Sequence, residues 1–130
     1  MSYVDGFVLL VPKKNTAAYT KMAKEAGKSW MKHGAVAYFE CKADDLKVPD
    51  MGGEKAWSFP DMTKQKPGEA VWYSFIIYKS KAHRNQVLKK VMKEMNDYME
   101  KHGPMKMPFD LKRMAMASFQ PMVEYMGKGK

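Results

Sequence analysis

A run of eight apolar or aromatic residues broken only by Ser74, residues 70–78 (AVWYSFIIY), constrains the fold of this chain more than any other stretch. Its length and its β-branched and aromatic side chains predict a central β-strand. Successive side chains of a strand point to opposite faces of the sheet. One face then carries Val71, Tyr73, Phe75 and Ile77, and the other carries Trp72, Ser74, Ile76 and Tyr78. Both faces are rich in large apolar groups, so both must be covered.

The size and composition of the chain predict one domain. It has 130 residues, 45% of them hydrophobic, and we expect a single domain over residues 1–126 with a disordered tail over residues 127–130. No window approaches the ~20 apolar residues that cross a bilayer, and the N-terminus does not resemble a secretory signal. The single cysteine, Cys41, agrees with a reducing compartment. We therefore expect a cytoplasmic protein with no membrane segment.

The formal net charge of +9 raises the question of nucleic-acid binding. Only Arg84 and Arg113 are arginines, although arginine is the side chain best suited to forked contacts with bases and phosphates. The lysines are spread over nearly the whole chain, without the aromatic interleaving typical of single-strand binders. We interpret them as solvated helix faces, and we do not expect nucleic acid as a partner.

Hydrophobic periodicity predicts four strands and two helices. The strands cover residues 3–11, 35–42, 70–78 and 114–125, and the helices cover residues 16–33, with Asn15 as N-cap, and residues 81–102, with Ser80 as N-cap. The predicted buried stripe of the second helix is Leu88, Val91, Met92, Met95, Tyr98 and Met99. Pro121 predicts that the far half of the last strand is an edge or leaves the sheet.

The connection over residues 42–69 is rich in proline and glycine and has weak periodicity. Such a long connection in a small domain is either functional or contains an element of its own. Residues 56–59 (AWSF) predict a short strand or a flap. Its Trp57 and Phe59 are expected to pack on the main body or on a partner chain, since a loop seldom exposes two large aromatics without a binding reason.

The order strand, helix, strand, strand, helix, strand predicts an α+β fold of the ferredoxin-like βαββαβ type. In that arrangement a four-stranded antiparallel sheet carries two helices on one face. The other face would be left bare although residues 70–78 make it apolar. A two-fold partner that packs sheet against sheet would cover it. The sequence therefore predicts a homodimer, the dimeric α/β barrel.

Four motifs spread along nearly the whole chain carry a resemblance to a known family. They are Tyr3-Val4-Asp5-Gly6-Phe7, Glu40-Cys41 followed by Asp44-Asp45, Ser80-Lys81-Ala82 with Arg84, and, as the most specific, Met107-Pro108-Phe109-Asp110-Leu111-Lys112-Arg113-Met114. They resemble the DUF1428 or YbaA-like family of small bacterial proteins of unknown function. The resemblance implies a dimeric α/β barrel, shared with antibiotic-biosynthesis-type monooxygenases, and no established reaction.

The same resemblance implies which activities the superfamily supports. Its barrels oxygenate aromatic substrates without a metal or flavin, or degrade haem. This chain does not match the haem-degrading set, because Asp5 stands where an asparagine would be looked for and His83 lies only roughly where the haem histidine would be. No glycine-rich phosphate loop and no metal-ligand spacing is present in the sequence, so we expect no cofactor and no metal.

Two functional classes remain open. The first is a small-molecule binder or cofactor-independent monooxygenase-like enzyme for an aromatic or carboxylate-bearing compound, with its pocket between sheet and helices. The candidate ligand-binding residues are Trp72 and Tyr73 as apolar walls and Asp5, Glu40, Asp110 and Arg113 as polar groups. The second class is a non-catalytic dimer that binds a metabolite or another protein. A pocket lined by aromatics with one or two convergent charges favours the first class, and a filled barrel favours the second.

Some of the residues capable of chemistry could instead have a purely structural role. Arg113 lies three residues after Asp110, and the two form either a local ion pair or, with the arginine as a carboxylate clamp, part of a ligand site. Cys41 is either a small buried hydrophobe or a reactive thiol. His33, followed by Gly34, is expected at the C-terminal end of the first helix rather than in a catalytic site.

Overall fold

A computed structural model describes residues 1–128, so residues 129–130 of the expected tail lie outside the described part of the chain. The predicted α+β class and the four-stranded antiparallel sheet are confirmed. The strands of this sheet are β1 (Tyr3–Pro12), β2 (Ala37–Lys42), β5 (Glu69–Tyr78) and β6 (Met114–Phe119). They lie in the order β2-β5-β1-β6. The helices are α1 (Thr16–Lys32), α2 (Phe59–Thr63) and α3 (Lys81–His102), and β3 (Asp50–Met51) and β4 (Glu54–Lys55) form a separate hairpin.

Strand β5 occupies the central position that its apolar run predicts, between β1 and β2. One face of the sheet is covered by α1 and α3. Under α1 lie Leu9, Val11 and Trp72, packed with Tyr19 and Ala23. Under α3 lie Ile76 and Tyr78, packed with Val87 and Val91. The even-numbered side chains of β5 therefore form the core of the protein.

Within residues 1–128, α1 and α3 are the helices that pack on the sheet, and we call the face opposite to them the open face. The strand registers place on it Val4, Gly6, Val8, Leu10, Ala37, Phe39, Cys41, Val71, Tyr73, Phe75, Ile77, Ala115, Ala117 and Phe119. None of these fourteen positions carries a charged side chain, and the register continues at one end to Pro12 and to Glu69, whose carboxylate is paired with Arg113. Leu10 and Val71 are buried at one end, but Phe39, Tyr73 and Phe119 are each about half exposed.

The ends of three elements differ from the sequence predictions. Asn15 precedes α1, but its side chain does not cap the helix, because its amide donates to the carbonyl of Pro108 at 2.8 Å. Strand β2 begins at Ala37 rather than at residue 35. Strand β6 ends at Phe119, because Pro121 cannot donate to a sheet ladder. The chain leaves the sheet there, as Pro121 predicts, and residues 120–125 are not strand.

The buried stripe predicted for α3 is only partly correct. Val91 is buried and, with Val87, forms the contact with the sheet. Met92 is exposed, since it lies one position, about 100°, round the helix from Val91. Tyr98 is exposed too and stacks on His102 with ring centroids 4.2 Å apart. Among the described helices, none combines the length and apolar character that crossing a bilayer requires.

The connection over residues 42–69 contains small elements of its own, as its length predicts. It holds the β3–β4 hairpin and helix α2, which Ser58 caps by accepting a hydrogen bond from the backbone of Asp61 at 3.1 Å. Residues 56–58 are neither helix nor strand, so the short strand predicted for residues 56–59 is wrong. Trp57 does not pack on the main body in this chain, because its side chain is 73% exposed.

Glu94 connects the two long helices. Its carboxylate accepts hydrogen bonds from Ser29 Oγ at 2.7 Å and Lys32 Nζ at 2.7 Å, and it lies 3.1 Å from His33 Nε2. His33 is the C-cap that directly follows α1, consistent with the prediction that it lies at the C-terminal end of the helix. These bonds lower the pKa of Glu94 from 4.5 to about 2, and the bond from Lys32 has the largest effect.

The contribution of Glu94 to stability is expected to disappear in acid. Its pKa is lower in the folded chain, so the contribution is present above pH 4.5 and is lost as the pH falls through about 2. The difference in unfolding free energy between wild type and Glu94→Gln, measured by urea titration, should therefore shrink across this window. Glu54→Gln, in the exposed β3–β4 hairpin, serves as control. A pH-independent difference for Glu94→Gln would contradict the assignment.

Candidate functional site

The most polar arrangement beneath α1 is built around the carboxylate of Glu40. Strand β2 points Glu40 towards the helices, where it meets three hydroxyl groups. Tyr38 donates to Oε2 at 2.6 Å, Tyr19 on α1 donates to Oε1 at 2.8 Å, and Ser74 on β5 donates to the same Oε1. Three separate elements therefore converge on one carboxylate.

The hydroxyl groups around Glu40 are held in their protonated form. Burial is the main cause that raises the pKa of Tyr19 and of Tyr38 well above that of a free tyrosine, and the neighbouring Glu40 carboxylate raises it further. Both phenols consequently act as hydrogen-bond donors throughout the physiological range. In residues 1–128 no lysine or arginine forms a salt bridge with Glu40, so its negative charge is balanced by hydroxyl donors alone.

A groove of about 560 Å³ runs between α1 and β2, and Glu40 forms part of its wall. Tyr38, Trp72, Ala23 and Met31 supply apolar surface to the same groove. Its remaining lining includes three lysines, Lys24, Lys28 and Lys42. The groove thus combines aromatic walls, one carboxylate and a positively charged border, and it is of the size that small-molecule sites occupy.

Gly27 allows the groove to have this shape. A Cβ atom at position 27 would lie 2.9 Å from Cδ1 of Tyr38, so only glycine lets the tyrosine ring lie against α1. Trp72, which also lines the groove, has a buried indole N–H that no group in the described residues accepts. A buried donor without an acceptor is uncommon in proteins and is a position where a ligand can supply the missing partner.

Asp5 lies away from this groove, in a second polar cluster on the covered face. Its carboxylate accepts a hydrogen bond from Ser118 Oγ at 2.7 Å and pairs with Arg84 at 3.4 Å. Burial raises the pKa of the neighbouring Tyr78, and Asp5 adds to this effect. The Tyr78 hydroxyl accepts from Trp30 Nε1 at 2.9 Å. This cluster ties the start of α3 to β1 and β6.

Tyr73 and Cys41 lie on the open face, on the far side of the sheet from the groove. Tyr73 packs beside Phe75 with ring centroids 5.6 Å apart, and Phe75 stacks on Phe39 at 4.8 Å. Tyr73 cannot therefore share a pocket with Trp72, its neighbour in sequence. Cys41 is exposed, so the interpretation as a buried small hydrophobe is wrong for the single chain.

Arg113 and Asp110 do not form an ion pair with each other. The guanidinium of Arg113 donates two hydrogen bonds to the Glu69 carboxylate, from Nη2 to Oε1 at 2.7 Å and from Nε to Oε2 at 3.3 Å. It also donates to the carbonyl of Lys64 at 3.0 Å. Asp110 instead caps the following turn by accepting from the backbone N–H of Lys112 at 2.9 Å. Arg113 thus anchors the long connection to the start of β6, and neither residue lines the groove.

Of the six candidate ligand-binding residues, the structure brings only Glu40 and Trp72 together. The partners that the sequence analysis did not select are Tyr19, Tyr38 and Ser74. Two signals for them exist in the sequence. Tyr38 alternates with Glu40 along one strand, and Ser74 is the polar interruption of the central apolar run. In the part of the chain that the structure describes, no group of three His, Cys, Asp or Glu side chains could hold a metal ion.

Comparison with known proteins agrees with the resemblance noted from the motifs. Residues 2–111 match the model of a family described as a protein of unknown function, DUF1428. The uncharacterized protein YbaA of Escherichia coli is 37% identical over 124 residues, which are 95% of this chain and 99% of that protein. YbaA of Shigella flexneri matches to the same extent.

Among solved structures, the de novo designed protein Foldit4 aligns with 93% of this chain and 99% of its own, at 9% identity and a TM-score of 0.43. That similarity is too low to carry an argument about fold or function. The sequence evidence is sufficient by itself, because the family match spans most of the chain and the YbaA alignment nearly all of it. The chain belongs to the DUF1428 family, whose function is unknown.

Proposed function

We propose that this protein is a homodimer that binds a small aromatic carboxylate carrying a hydroxyl or amino group, and that the ligand lies in the groove between α1 and β2. The observation that carries the proposal is the Glu40 carboxylate, held by three hydroxyl donors in the wall of an otherwise aromatic groove. Each further feature of the groove accounts for one part of such a ligand.

The aromatic part of the ligand is accommodated by the apolar walls. Tyr38 and Trp72 present ring surfaces to the groove, and Met31 adds a flexible side chain that adapts to planar groups. The carboxylate part is accommodated at the border. Lys24 and Lys42 form no salt bridge within residues 1–128, so their charges are available to an anion.

The donor on the ligand is assigned to Glu40. An ionised carboxylate has about four acceptor positions, and three are used by Tyr19, Tyr38 and Ser74. The remaining position accepts one hydrogen from a hydroxyl or amino group. A ligand that carries such a donor opposite its carboxylate would therefore satisfy both ends of the groove.

The homodimer is proposed on the basis of the open face. The strand order β2-β5-β1-β6, with α1 and α3 on one side, supports a ferredoxin-like arrangement, in which a second copy can cover the sheet. The apolar, aromatic-rich character of the open face, whose register meets a charge only at Glu69 at one end, supports the same assembly. A dimeric α/β barrel then places the two grooves on the outside of the barrel, one under the helices of each protomer.

Binding alone, without catalysis, is the function we favour. The Glu40 carboxylate is already surrounded by three protein hydroxyls, an arrangement that orients a ligand donor. Oxygenation of the bound aromatic is the alternative that the superfamily resemblance implies. The two are separated by measuring dissolved oxygen: binding alone predicts no oxygen consumption when the protein is mixed with 4-hydroxybenzoate in air-saturated buffer.

The ligand assignment is tested by calorimetric titration with 4-hydroxybenzoate, benzoate and phenol. We expect 4-hydroxybenzoate to bind more tightly than either compound that lacks one of its two polar groups. Lys24→Ala should weaken its binding by about fivefold, the upper range for an exposed ion pair. Lys90→Ala on α3, outside the groove, is the matched control. No binding of 4-hydroxybenzoate, or equal binding by wild type and Lys24→Ala, would contradict the proposed ligand class.

A further inference from the structure

The segment that follows β6, residues 120–126, is apolar and uncovered. We call it the arm. Four of its side chains are large and almost entirely exposed: Met122 at 80%, Val123 at 73%, Tyr125 at 91% and Met126 at 77%. Apolar groups at this density seldom remain in water without a partner surface. Nothing in residues 1–128 covers them.

The arm is nevertheless tied to the protein at one point. The carboxylate of Glu124 accepts hydrogen bonds from the backbone N–H of Ser2 at 3.1 Å and from Ser2 Oγ at 2.8 Å. These bonds lower the pKa of Glu124, so the carboxylate is ionised and remains an acceptor at neutral pH. The arm is therefore directed past the start of β1 rather than back over its own helices.

The arm begins at the margin of the open face. Phe119, the last residue of β6, pairs with Val4 and belongs to that face. Its ring lies over Gly6, where a Cβ atom would come within 3.0 Å of Phe119 Cε1. The exposed side chains of the arm thus continue the apolar surface that the sheet presents, and only the uncharged Gln120 and Pro121 separate Phe119 from Met122.

The three exposed aromatic rings of the open face do not supply a stable interface by themselves. Phe39, Tyr73 and Phe119 are each about half exposed and together offer about 300 Å² of aromatic surface. A specific interface buries about 800 Å² on each partner. The aliphatic residues of the open face supply part of the missing buried area. The four large side chains of the arm are of the size needed to supply the rest.

We propose that the arm of one protomer packs against the second copy of the chain in the dimer, at the rim of its open face. This inference rests on the proposed homodimer and adds which segment joins the two protomers. Met122 and Tyr125 are the side chains with the most apolar surface to lose, and they act as anchors of the arm. The Ser2–Glu124 bonds hold the arm in the direction that contact requires.

The first test compares Tyr125→Asp with Tyr98→Asp, which alters another exposed tyrosine on α3. Sedimentation equilibrium should give a dimer dissociation constant about tenfold higher than that of wild type for Tyr125→Asp and an unchanged constant for Tyr98→Asp. A dimer of unchanged affinity in Tyr125→Asp overturns the role of the arm and leaves the dimer intact. A monomeric wild type overturns the dimer and the arm together.

A second test does not depend on affinity. With p-benzoylphenylalanine in place of Tyr125, unlabelled and ¹⁵N-labelled full-length chains are mixed and irradiated. Mass spectrometry should then find cross-linked peptides of mixed isotopic composition, which only contacts between chains produce. Cross-links confined to single chains, in a preparation that light scattering shows to be dimeric, would overturn the inference without affecting the proposed assembly.

Discussion

Replacing Phe39 with aspartate is expected to convert a dimeric protein into a monomer. Phe39 lies in the aromatic group of the open face, stacked on Phe75 at 4.8 Å. In the proposed dimer the new carboxylate would be buried between two sheets, and the fourteen open-face positions offer no cation to pair with it. We expect the dissociation constant to rise by about 100-fold or more, the effect of a central interface residue.

Light scattering at micromolar concentration measures this change directly. Wild type should have twice the 14.9 kDa mass of one chain, and Phe39→Asp should approach the mass of a single chain. Phe59→Asp is the matched control, since Phe59 is similarly exposed but lies on α2, outside the sheet. Circular dichroism establishes that each variant retains its secondary structure. A dimeric Phe39→Asp, or a monomeric wild type, would contradict the proposed assembly.

Replacing Glu40 with alanine is expected to lower the free energy of unfolding by about 3 kcal/mol. The change removes the acceptor of three hydroxyl groups at once, and both Ser74 and Tyr19 are buried. Donors left without acceptors in the protein interior lose their bonds to water and gain none in return. Tyr19→Phe removes one donor and leaves the other two bonds in place, so it should cost about 1 kcal/mol.

Urea unfolding at a single protein concentration measures both effects, because the stability of a dimer depends on concentration. Glu54→Ala in the β3–β4 hairpin removes an exposed glutamate and is the control. An effect of Glu40→Ala no larger than that of Glu54→Ala would mean that the hydroxyl groups find other partners. In that case the Glu40 arrangement could not provide the fixed acceptor on which the ligand proposal depends.

Local sequence patterns were sufficient for most of the fold. The apolar run of residues 70–78 predicted a central strand, and β5 covers Glu69–Tyr78. The stop signal Gly103-Pro104 and the cap Ser80 predicted the bounds of α3, which covers Lys81–His102. These features depend on neighbours in sequence, such as strand alternation, helix periodicity and caps, so they can be inferred without tertiary contacts.

The errors at element level also have local causes. The pattern of α3 could not distinguish side chains that face the sheet from those one position round the helix, so Met92 was assigned to the core although it is exposed. Strand propensity extended β6 beyond Phe119, where Pro121 ends the ladder. Propensity describes what a segment can form, whereas packing decides how much of it is covered.

The sequence by itself determined the family, the order of the main elements and the two-sided apolar pattern of β5, because motifs and alternation are properties of neighbouring residues. Only the tertiary structure decided which residues share a site. Glu40 accepts hydrogen bonds from the hydroxyls of Tyr19 and Ser74 because α1 packs on β2 and because the register pairs Glu40 with Ser74. Arg113 forms its salt bridge with Glu69, which is distant in sequence, rather than with its neighbour Asp110. Contacts between distant segments depend on strand register and helix placement, which no local pattern specifies.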